Sequence, residues 1–365
     1  MKVLYLINHA GGGGSEKYVY NLVKAYNGIR CKCCFAYNES GLLSKQMAQD
    51  KIVTFNLEMK NPFDFKAAKA LADICKKNKV DIIHTHYPRE NCIANLAKLY
   101  YGKIKVVYTN HFLTENNFSW KLINRLISAR TNAIIAVCSY GKQLLVKNGY
   151  PSKKINVIFN GAPKKDACDE VTSTIREELG IPKDSFTVCT LARFSPEKRM
   201  RFLVEVMHRV KQLTDRDIRC IIAGDGAEFE AVKEKIEEYG LENTVYCIGY
   251  RTDGDNILSG SDIFVNTSET EALSFAIVEA LGFGLPAVVS KVGGNVDIVN
   301  DATDCGFAID KDDVEGFAKA IIELAANSSL YERKKSGALN SSAKQFSLEN
   351  SLEETFKVYE KVLNK

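Results

Sequence analysis

The segment DIFVNTSETEALSFAIVEAL (262–281) joins two patterns that together decide the fold class. Its first part, DIFVNTS, is a short apolar run that predicts a buried strand. The turn residues SETEA follow, and the apolar run after them predicts a helix that begins near Leu273. A buried strand followed at once by a helix is typical of a βαβ unit, in which helices cover both faces of a parallel sheet.

The same two patterns alternate along the rest of the chain. Helix-like segments such as GSEKYVYNLVKAY (14–26) and FKAAKALADICKKN (65–78) separate the strand candidates. The other strand candidates are KVLYLI (2–7), KIVTFNL (51–57), VDIIHTH (80–86), IKVVYTNH (104–111), TNAIIAVCS (131–139), KINVIFNGAP (154–163), FTVCTLAR (186–193), DIRCIIAGDG (217–226), NTVYCIG (243–249) and PAVVS (286–290). This alternation predicts an α/β protein with doubly wound parallel sheets, whose ligands bind beyond the carboxyl ends of the strands.

A chain of 365 residues is too long for one hydrophobic core, so two domains are expected. The polar segment 166–184 separates two series of strand candidates. We therefore predict a Rossmann-like domain over 1–165 and a second one over 166–345, facing each other across a cleft. Residues 346–365 contain a final helix, predicted over about 347–363, which crosses back to the first domain.

Composition is that of an ordinary soluble globular protein, with 45% hydrophobic and 26% charged residues. The N-terminal apolar run soon meets glycines, so no signal peptide is expected. No apolar run approaches the roughly 18 residues of a spanning helix, and a cytoplasmic location is therefore predicted. The 11 cysteines are scattered, and the lone CxxC of Cys31 and Cys34 favours buried free thiols over a metal or redox site.

The net charge of +4 conceals a strong division between the two halves of the chain. Residues 1–162 carry 24 Lys and Arg against 9 Asp and Glu, whereas residues 163–365 carry 25 against 36. The basic first half predicts an anionic partner, either a membrane surface or a phosphate-bearing substrate, with a solvated basic face as the alternative. Nucleic acid is disfavoured, because no basic motif is interleaved with aromatic residues. The amphipathic segment FSWKLINRLISAR (118–130) predicts a helix packed on the sheet or, alternatively, in contact with a membrane surface.

Charged side chains follow two of the strand candidates, where a ligand would bind. Glu271 follows DIFVNTS, and Glu279 lies eight residues later on the predicted helix. A buried carboxylate is costly unless it is hydrogen-bonded, as it would be to sugar hydroxyls; two solvent-facing glutamates are the alternative. Arg193 and Lys198 follow FTVCT and could hold a pyrophosphate. The same anion could bind the free N–H groups at the helix start, which belong to Ala272, Leu273, Ser274 and Phe275.

In their order along the chain, these features resemble the retaining glycosyltransferases of family 4, which have the GT-B fold of two Rossmann-like domains. The resemblance runs over nearly the whole length. It rests on GGGGSEKYVYNL (11–22), DIIHTH (81–86), NHFLT (110–114), KINVIFNGAP (154–163), LARFSPEK (191–198), IAGDG (222–226), the E-x7-E spacing of Glu271 and Glu279, and GLPAVVSKVGGNVDIV (284–299). Each motif is weak alone, but their order and spacing together are highly specific.

The resemblance implies a role for each matching position. Arg193 and Lys198 would bind the diphosphate of the donor, Glu271 would contact the transferred sugar, and Glu279 would bind the ribose. His111 would reach the transferred sugar. The other implied donor-binding positions are Gly13 and Gly14 in the glycine loop, Leu273, Ser274 and Phe275 through backbone amides, and Gly249 and Tyr250 at the base. Three positions depart from the family pattern, since Ala272 and Arg199 replace common glycines and Asp297 replaces a usual glutamate.

The activity implied by the resemblance is that of a retaining hexosyltransferase. It would move a hexose or N-acetylhexosamine from a nucleoside diphosphate sugar, UDP-linked by preference and GDP-linked as the alternative, to a hydroxyl acceptor. Beyond this donor no cofactor is implied, and no metal is required. The basic first half favours a lipid-linked glycan of surface polysaccharide assembly as acceptor, at the inner face of the membrane; a soluble acceptor is the alternative. Two other functions stay open, a nucleotide-sugar 2-epimerase of similar fold and a non-catalytic nucleotide-sugar or membrane-binding protein.

Two further patterns carry weaker hypotheses. The segment GGGGSEK lacks strict G-x-G-x-x-G spacing because Lys17 occupies the last glycine position, which disfavours a dinucleotide cofactor. His84 and His86 alternate along a strand candidate, so they are expected on opposite faces of the sheet and unsuited to bind one metal ion. His84 is expected to be either a structural or an acceptor-side histidine.

Overall fold

The computed structural model describes residues 1–163 and 172–364, and it divides into two compact units. The first unit comprises Met1–Asn160 and the chain from Ser351 onward, and the second comprises Gly161–Asn350. The boundary predicted at residues 165 and 166 lies outside the described residues. The return to the first unit comes after Asn350, later than predicted, because residues 346–348 pair with Ala162 of the second unit.

A seven-stranded parallel sheet forms the centre of the first unit, with strand order β3-β2-β1-β4-β5-β6-β7. Its strands are β1 (Lys2–His9), β2 (Lys32–Glu39), β3 (Val53–Asn56), β4 (Ile82–Thr85), β5 (Lys105–Asn110), β6 (Ala133–Ala136) and β7 (Ile155–Val157). The connecting helices are α1 (Gly14–Tyr26), α2 (Leu42–Gln49), α3 (Phe65–Asn78), α4 (Pro88–Ala97), α5 (Phe118–Arg130) and α6 (Ser139–Lys147). The central strands are fully buried, which explains their continuous apolar runs.

The second unit repeats this architecture with a six-stranded parallel sheet of order β10-β9-β8-β11-β12-β13. Its strands are β8 (Phe186–Leu191), β9 (Ile218–Ala223), β10 (Val245–Cys247), β11 (Ile263–Asn266), β12 (Ala287–Ser290) and β13 (Gly306–Ile309). Its helices are α7 (Ile175–Glu178), α8 (Met200–Leu213), α9 (Phe229–Glu238), α10 (Gly254–Ser259), α11 (Phe275–Gly282), α12 (Asn295–Ile298), α13 (Val314–Ala326) and α14 (Ser328–Lys344), and α15 (Leu348–Leu363) ends the chain.

Both sheets reverse their strand order at one point, and this reversal locates the candidate sites. In the first unit the reversal lies between β1 and β4, and in the second unit it lies between β8 and β11. Ligands of open parallel sheets bind at the carboxyl ends of the strands beside this switch point. The predicted fold class, two doubly wound Rossmann-like α/β units, is confirmed.

Three elements differ from the sequence-based expectations. The cysteine-rich segment around Cys33 forms β2, because buried thiols behave as small apolar side chains in a central strand. Neither the short strand β13 nor the helix α14 was predicted from the sequence. All cysteines in the described ranges are free thiols, and all of these except Cys247 are buried.

Helix α5 differs from a fourth expectation, which was that its apolar side chains pack on the sheet. Phe118, Leu122 and Leu126 are 83%, 54% and 66% exposed. The side chains that α5 buries are instead polar, Asn124 and Ser128. The interpretation as a core-packing helix is therefore wrong for these three apolar residues.

The C-terminal helix α15 is fixed to the first sheet by a buried chain of hydrogen bonds. His84 Nδ1 lies 2.6 Å from the Tyr359 hydroxyl, and His84 Nε2 lies 2.7 Å from Thr109 Oγ1. The Tyr359 hydroxyl donates in turn to the Tyr5 hydroxyl at 3.4 Å. His84 is thus a structural residue that joins α15 to β1, β4 and β5.

Candidate active site

An ion pair joins the loops that follow β8 and β11, on either side of the switch point in the second unit. Lys198 Nζ donates to Glu271 Oε1, and the two side chains are 18% and 9% exposed. Two residues predicted independently, 73 positions apart in the chain, are therefore in direct contact. Because the pair is largely removed from water, its charges interact more strongly than those of a surface pair.

The position of Glu271 is fixed by polar residues of its own loop and of the loop after β12, and these residues were not predicted from the sequence. Its Oε1 also accepts hydrogen bonds from Ser268 Oγ at 2.8 Å and Asn266 Nδ2 at 3.3 Å. Its backbone carbonyl accepts from the Gly294 N–H at 2.9 Å. Asn295 Nδ2 donates to Asn266 Oδ1 at 3.0 Å, which extends the network to the loop after β12. Glu271 is therefore held by contacts at the ends of three strands that neighbour one another in the sheet, β8, β11 and β12. The alternative of a solvent-facing Glu271 is wrong.

Arg193 lies on the same loop as Lys198 but remains available to a ligand. Its side chain is 77% exposed, and Nη2 lies 3.4 Å from Glu197 Oε1. Two glycines hold the loop close to the strand-end motif IAGDG, since a Cβ on Gly224 or Gly226 would overlap the backbone of Ala192 or Phe194. The motif thus serves to position the Arg193 loop.

Arg199 adopts the left-handed backbone conformation, with φ 55°, which accounts for the glycine that is common at this position in the family. The strained backbone is offset by contacts of the side chain. Its Nη2 donates to Asp312 Oδ1 at 2.7 Å, and the guanidinium lies 4.3 Å from the Phe202 ring centroid.

Helix α11 begins at Phe275, two residues later than expected, with Ser274 as its N-cap. In the described part of the chain, the N–H groups of Ala272, Leu273, Ser274 and Phe275 donate no backbone hydrogen bond. A helix N-terminus with free donors beside Lys198 is a favourable place for an anion. Glu279 follows in the second turn and is partly buried.

The predicted base-binding residues lie after β10, at the same edge of the second sheet. The carbonyl of Gly249 accepts a hydrogen bond from the Gly224 N–H at 2.8 Å. Tyr250 is 71% exposed, so its ring can contact a ligand without first leaving a packed position.

The glycine loop follows β1, beside the switch point of the first unit. Gly13 is the N-cap of α1 and Gly14 is its first residue, and both are exposed. A Cβ on Gly13 would lie 2.8 Å from Glu16 Oε2, so a larger residue there would displace that carboxylate. Ser15 Oγ donates to Glu16 Oε2 at 2.7 Å and lies 2.5 Å from the Tyr87 hydroxyl.

Three histidines cluster next to this loop. His86 Nδ1 lies 3.3 Å from His111 Nε2, and the Tyr18 ring meets the His111 ring edge-on at 5.1 Å between centroids. Burial lowers the pKa of His111 to about 3, so its imidazole is neutral near pH 7 and can accept or donate a hydrogen bond. The rings of His84 and His86 lie 4.5 Å apart, so the expectation of opposite faces is wrong. The reason is that side chains alternate between the faces of a sheet with a period of two, so residues two positions apart lie on the same face.

Glu90 is a buried titratable residue that sequence reasoning missed. Its Oε1 accepts the Asn8 N–H at 2.5 Å at the end of β1, and Oε2 is buried without a partner in the described residues. Burial raises the pKa of Glu90 to about 7, although the Asn8 N–H and Arg89 act in the opposite direction. Its position in HTHYPREN, just after a strand end, was the available signal.

Each unit thus places its predicted residues at the carboxyl edge of its own sheet. Within the described ranges, no group of three or more His, Cys, Asp or Glu side chains is placed to hold a metal ion. Among the described helices, none combines the length and apolar content needed to cross a bilayer.

Comparisons with known proteins agree with this architecture. Residues 12–164 match the family model described as Glycosyltransferase Family 4, and residues 171–341 match that described as Glycosyl transferases group 1. The chain is 29% identical over 273 residues to UDP-Gal:alpha-D-GlcNAc-diphosphoundecaprenol alpha-1,3-galactosyltransferase of Escherichia coli, covering 72% of this chain and 70% of the relative. It is 25% identical to N-acetyl-alpha-D-glucosaminyl L-malate synthase of Bacillus anthracis, covering 83% and 80%. The crystal structure of Anabaena HepE in complex with UDP and glucose superposes with a TM-score of 0.85 at 20% identity, covering 99% of this chain and 100% of that one.

The two Rossmann-like units and their structural neighbours show the GT-B fold. The matching family models and the named relatives support glycosyltransferase activity. The chain belongs to glycosyltransferase family 4, as its motifs predict.

Proposed function

We propose that this protein is a retaining glycosyltransferase that moves a hexose or N-acetylhexosamine from a UDP-sugar to a hydroxyl group of a lipid-linked glycan. The observation that carries the proposal is the buried Lys198–Glu271 pair beside the free N–H groups at the start of α11. Positive charge and backbone donors suit a diphosphate, and a fixed carboxylate suits sugar hydroxyls. All of these groups lie at one switch point.

The proposed roles follow from this arrangement and from the family pattern. Lys198, Arg193 and the backbone amides of Leu273, Ser274 and Phe275 bind the diphosphate and stabilise the charge that develops as it leaves. Glu271 orients the transferred sugar, and Glu279 binds the ribose. Gly249 and Tyr250 contact the base. In the first unit, Gly13 and Gly14 approach the donor phosphates and the acceptor, and the neutral His111 reaches the transferred sugar, as the family pattern implies.

The proposed reaction retains configuration at the transferred carbon. The acceptor oxygen forms the new glycosidic bond on the face from which the diphosphate departs. The bond between the sugar and the diphosphate breaks, and the leaving diphosphate oxygen takes the acceptor proton. This route needs no nucleophile from the enzyme. It requires that Lys198, Arg193 and the backbone N–H groups at the start of α11 balance the negative charge of the diphosphate.

The nature of the donor and of the acceptor is proposed from the relatives. The Escherichia coli relative is named for UDP-Gal and for a diphosphoundecaprenol-linked GlcNAc acceptor, and the Anabaena structure holds UDP. The basic first half of this chain fits an acceptor that carries a diphosphate and lies at an anionic leaflet on the cytoplasmic side.

A thermal-shift panel of UDP, GDP, ADP and their sugar conjugates tests the donor. A ligand that binds only the folded protein raises its melting temperature, and we expect a shift with UDP and its sugars alone. Transfer is then assayed with a lipid-linked acceptor, comparing the protein with Glu271→Gln, which should lose turnover while keeping its fold. Epimerisation of the donor in the absence of an acceptor would support a nucleotide-sugar 2-epimerase instead. Binding of UDP without any turnover would support a non-catalytic nucleotide-sugar-binding protein.

A further inference from the structure

The α5 ridge, formed by Phe118, Leu122 and Leu126, is an apolar stripe that faces away from the core. These residues recur every fourth position, so they lie on one face of the helix. All three are more than half exposed. Large apolar side chains that are grouped and exposed in this way mark an interaction surface, whereas isolated ones need no explanation.

The orientation of the ridge is fixed by polar contacts on the opposite side of α5. Asn124 Nδ2 donates to the Asn148 carbonyl at 3.0 Å, and its Oδ1 accepts from the Tyr150 hydroxyl at 3.1 Å. Lys154 Nζ donates to the Ser128 carbonyl at 2.7 Å near the end of the helix. Rotating α5 to bury the ridge would break these buried hydrogen bonds, so the outward face is the stable one.

The part of the chain that contains the ridge is strongly basic. Residues 91–160 contain ten Lys and Arg but a single acidic residue, Glu115. Arg125 and Arg130 lie on the two sides of the ridge, are exposed, and form no ion pair within the described residues. Glu115 is itself occupied by Lys121 at 3.2 Å and Lys147 at 2.8 Å.

We propose that the α5 ridge docks the protein on an anionic lipid surface, with Phe118, Leu122 and Leu126 entering the interface and Arg125 and Arg130 contacting the headgroups. An amphipathic helix with apolar residues on one face and cationic residues beside it binds such surfaces. A second copy of this chain fits less well, because a two-fold contact would place the same basic residues against each other. This inference rests on the proposed function for its purpose, which is to bring the first unit to a lipid-linked acceptor.

Vesicle co-sedimentation of the full chain tests the proposal, using phosphatidylcholine vesicles with and without phosphatidylglycerol. We expect binding only when the anionic lipid is present. The double variant Phe118→Ser/Leu126→Ser should bind at least about tenfold more weakly, because burial of a large apolar side chain is worth about that factor or more. Arg125→Glu/Arg130→Glu should lose about fivefold for each position.

Matched controls separate the ridge from general effects of hydrophobicity and charge. Ile29→Ser removes an apolar side chain that is 78% exposed outside α5, and Lys76→Glu/Lys77→Glu makes the same charge change at the end of α3. Both controls should bind vesicles more tightly than the corresponding ridge variants. The proposal would be overturned if the ridge variants and the control variants lost vesicle binding equally. It would also be overturned if the unaltered protein did not bind anionic vesicles. If sedimentation velocity found a dimer of the unaltered protein and a monomer of the ridge variant, the ridge would be a contact between two copies of the chain and the proposal would be wrong.

The UDP thermal shift is measured on the same samples. The ridge variants should keep the shift of the unaltered protein, since Lys198 and Glu271 are untouched. Absence of a UDP shift together with lipid binding would contradict the proposed function alone, whereas a normal UDP shift without lipid binding would contradict only the docking surface.

Discussion

Lys198 and Glu271 stabilise each other in a largely buried position, so removing one partner has two separable consequences. Lys198→Met leaves a buried carboxylate without its cation, which should lower the free energy of unfolding by about 3 kcal/mol. The double variant Lys198→Met/Glu271→Gln should recover most of that loss, because a neutral amide is far less costly to bury. Urea unfolding of both variants and of the unaltered protein measures the difference.

The binding of UDP should follow a different pattern in the same variants. Loss of a charged hydrogen bond to the diphosphate weakens affinity by about tenfold or more, and the second substitution does not replace it. Titration calorimetry should therefore find weak binding in both the single and the double variant. Recovery of UDP affinity in the double variant would mean that Lys198 acts only by neutralising Glu271.

Glu90 should make the stability of the first unit depend on pH. Burial raises its folded pKa to about 7, above the value of about 4.3 in an unfolded chain. Between these values the folded protein holds a proton that the unfolded chain has released, so the free energy of unfolding falls as pH rises through this window. The full change amounts to roughly 4 kcal/mol.

The variant Glu90→Gln should lose this dependence, because an amide does not titrate in the window. Urea unfolding at several pH values between 4 and 8 gives the free energy of unfolding of each protein. The difference between the two values isolates Glu90, because the histidines contribute equally to both proteins. Glu58→Gln is the control, since the Glu58 side chain is 69% exposed. A constant difference between the unaltered protein and Glu90→Gln would show that Glu90 is ionised in the folded state throughout.

Among the secondary-structure elements, α15 depends on a few buried polar contacts with the first sheet. Tyr359→Phe removes the hydroxyl that meets His84 at 2.6 Å and Tyr5 at 3.4 Å. The groups left behind are buried, so the free energy of unfolding should fall by about 1–3 kcal/mol. Thermal unfolding measures the effect, and Tyr100→Phe, at a ring that is 49% exposed, should change little.

The strands and helices were predictable where burial imposes an apolar run or an amphipathic stripe. Strand β2 was missed because cysteines occupy core positions in it, and β13 is only four residues long. Helix α14 packs partly through small and polar side chains such as Ala338 and Ser342, which leave no apolar stripe in the sequence. Residue patterns report burial, and they fail where an element is buried without large apolar residues.

The contact between Lys198 and Glu271 depends on the pairing of β8 with β11, which local patterns do not specify. Their positions after strand candidates singled out both residues, but those positions did not indicate the partners that fix them. Asn266, Ser268 and Asn295 become visible as part of the site only when three strand ends are brought together. The polar residues Asn266 and Ser268 at the end of an apolar strand were the signal in the sequence.

For the molecule as a whole, the two passages of the chain between the units lie against each other. The chain leaves the first unit at Asn160–Gly161 and returns at Asn350–Ser351. The Ala162 N–H donates to the Phe346 carbonyl at 3.0 Å, and the Leu348 N–H donates to the Ala162 carbonyl at 2.9 Å. One short bridge therefore fixes both passages.

Gly161 is required for this bridge, because a Cβ at this position would overlap the backbone of Ser347 and Leu348. Gly161→Ala should lower the free energy of unfolding by about 1–3 kcal/mol, as overpacking does elsewhere. The UDP shift of the folded protein should persist, since the Lys198 site lies on other elements. Gly102→Ala is the matched control, because its Cβ would meet the Lys98 carbonyl oxygen at an ordinary 3.8 Å. Thermal unfolding with and without UDP measures both effects, and equal melting temperatures for the two alanine variants would mean that the bridge contributes nothing to stability.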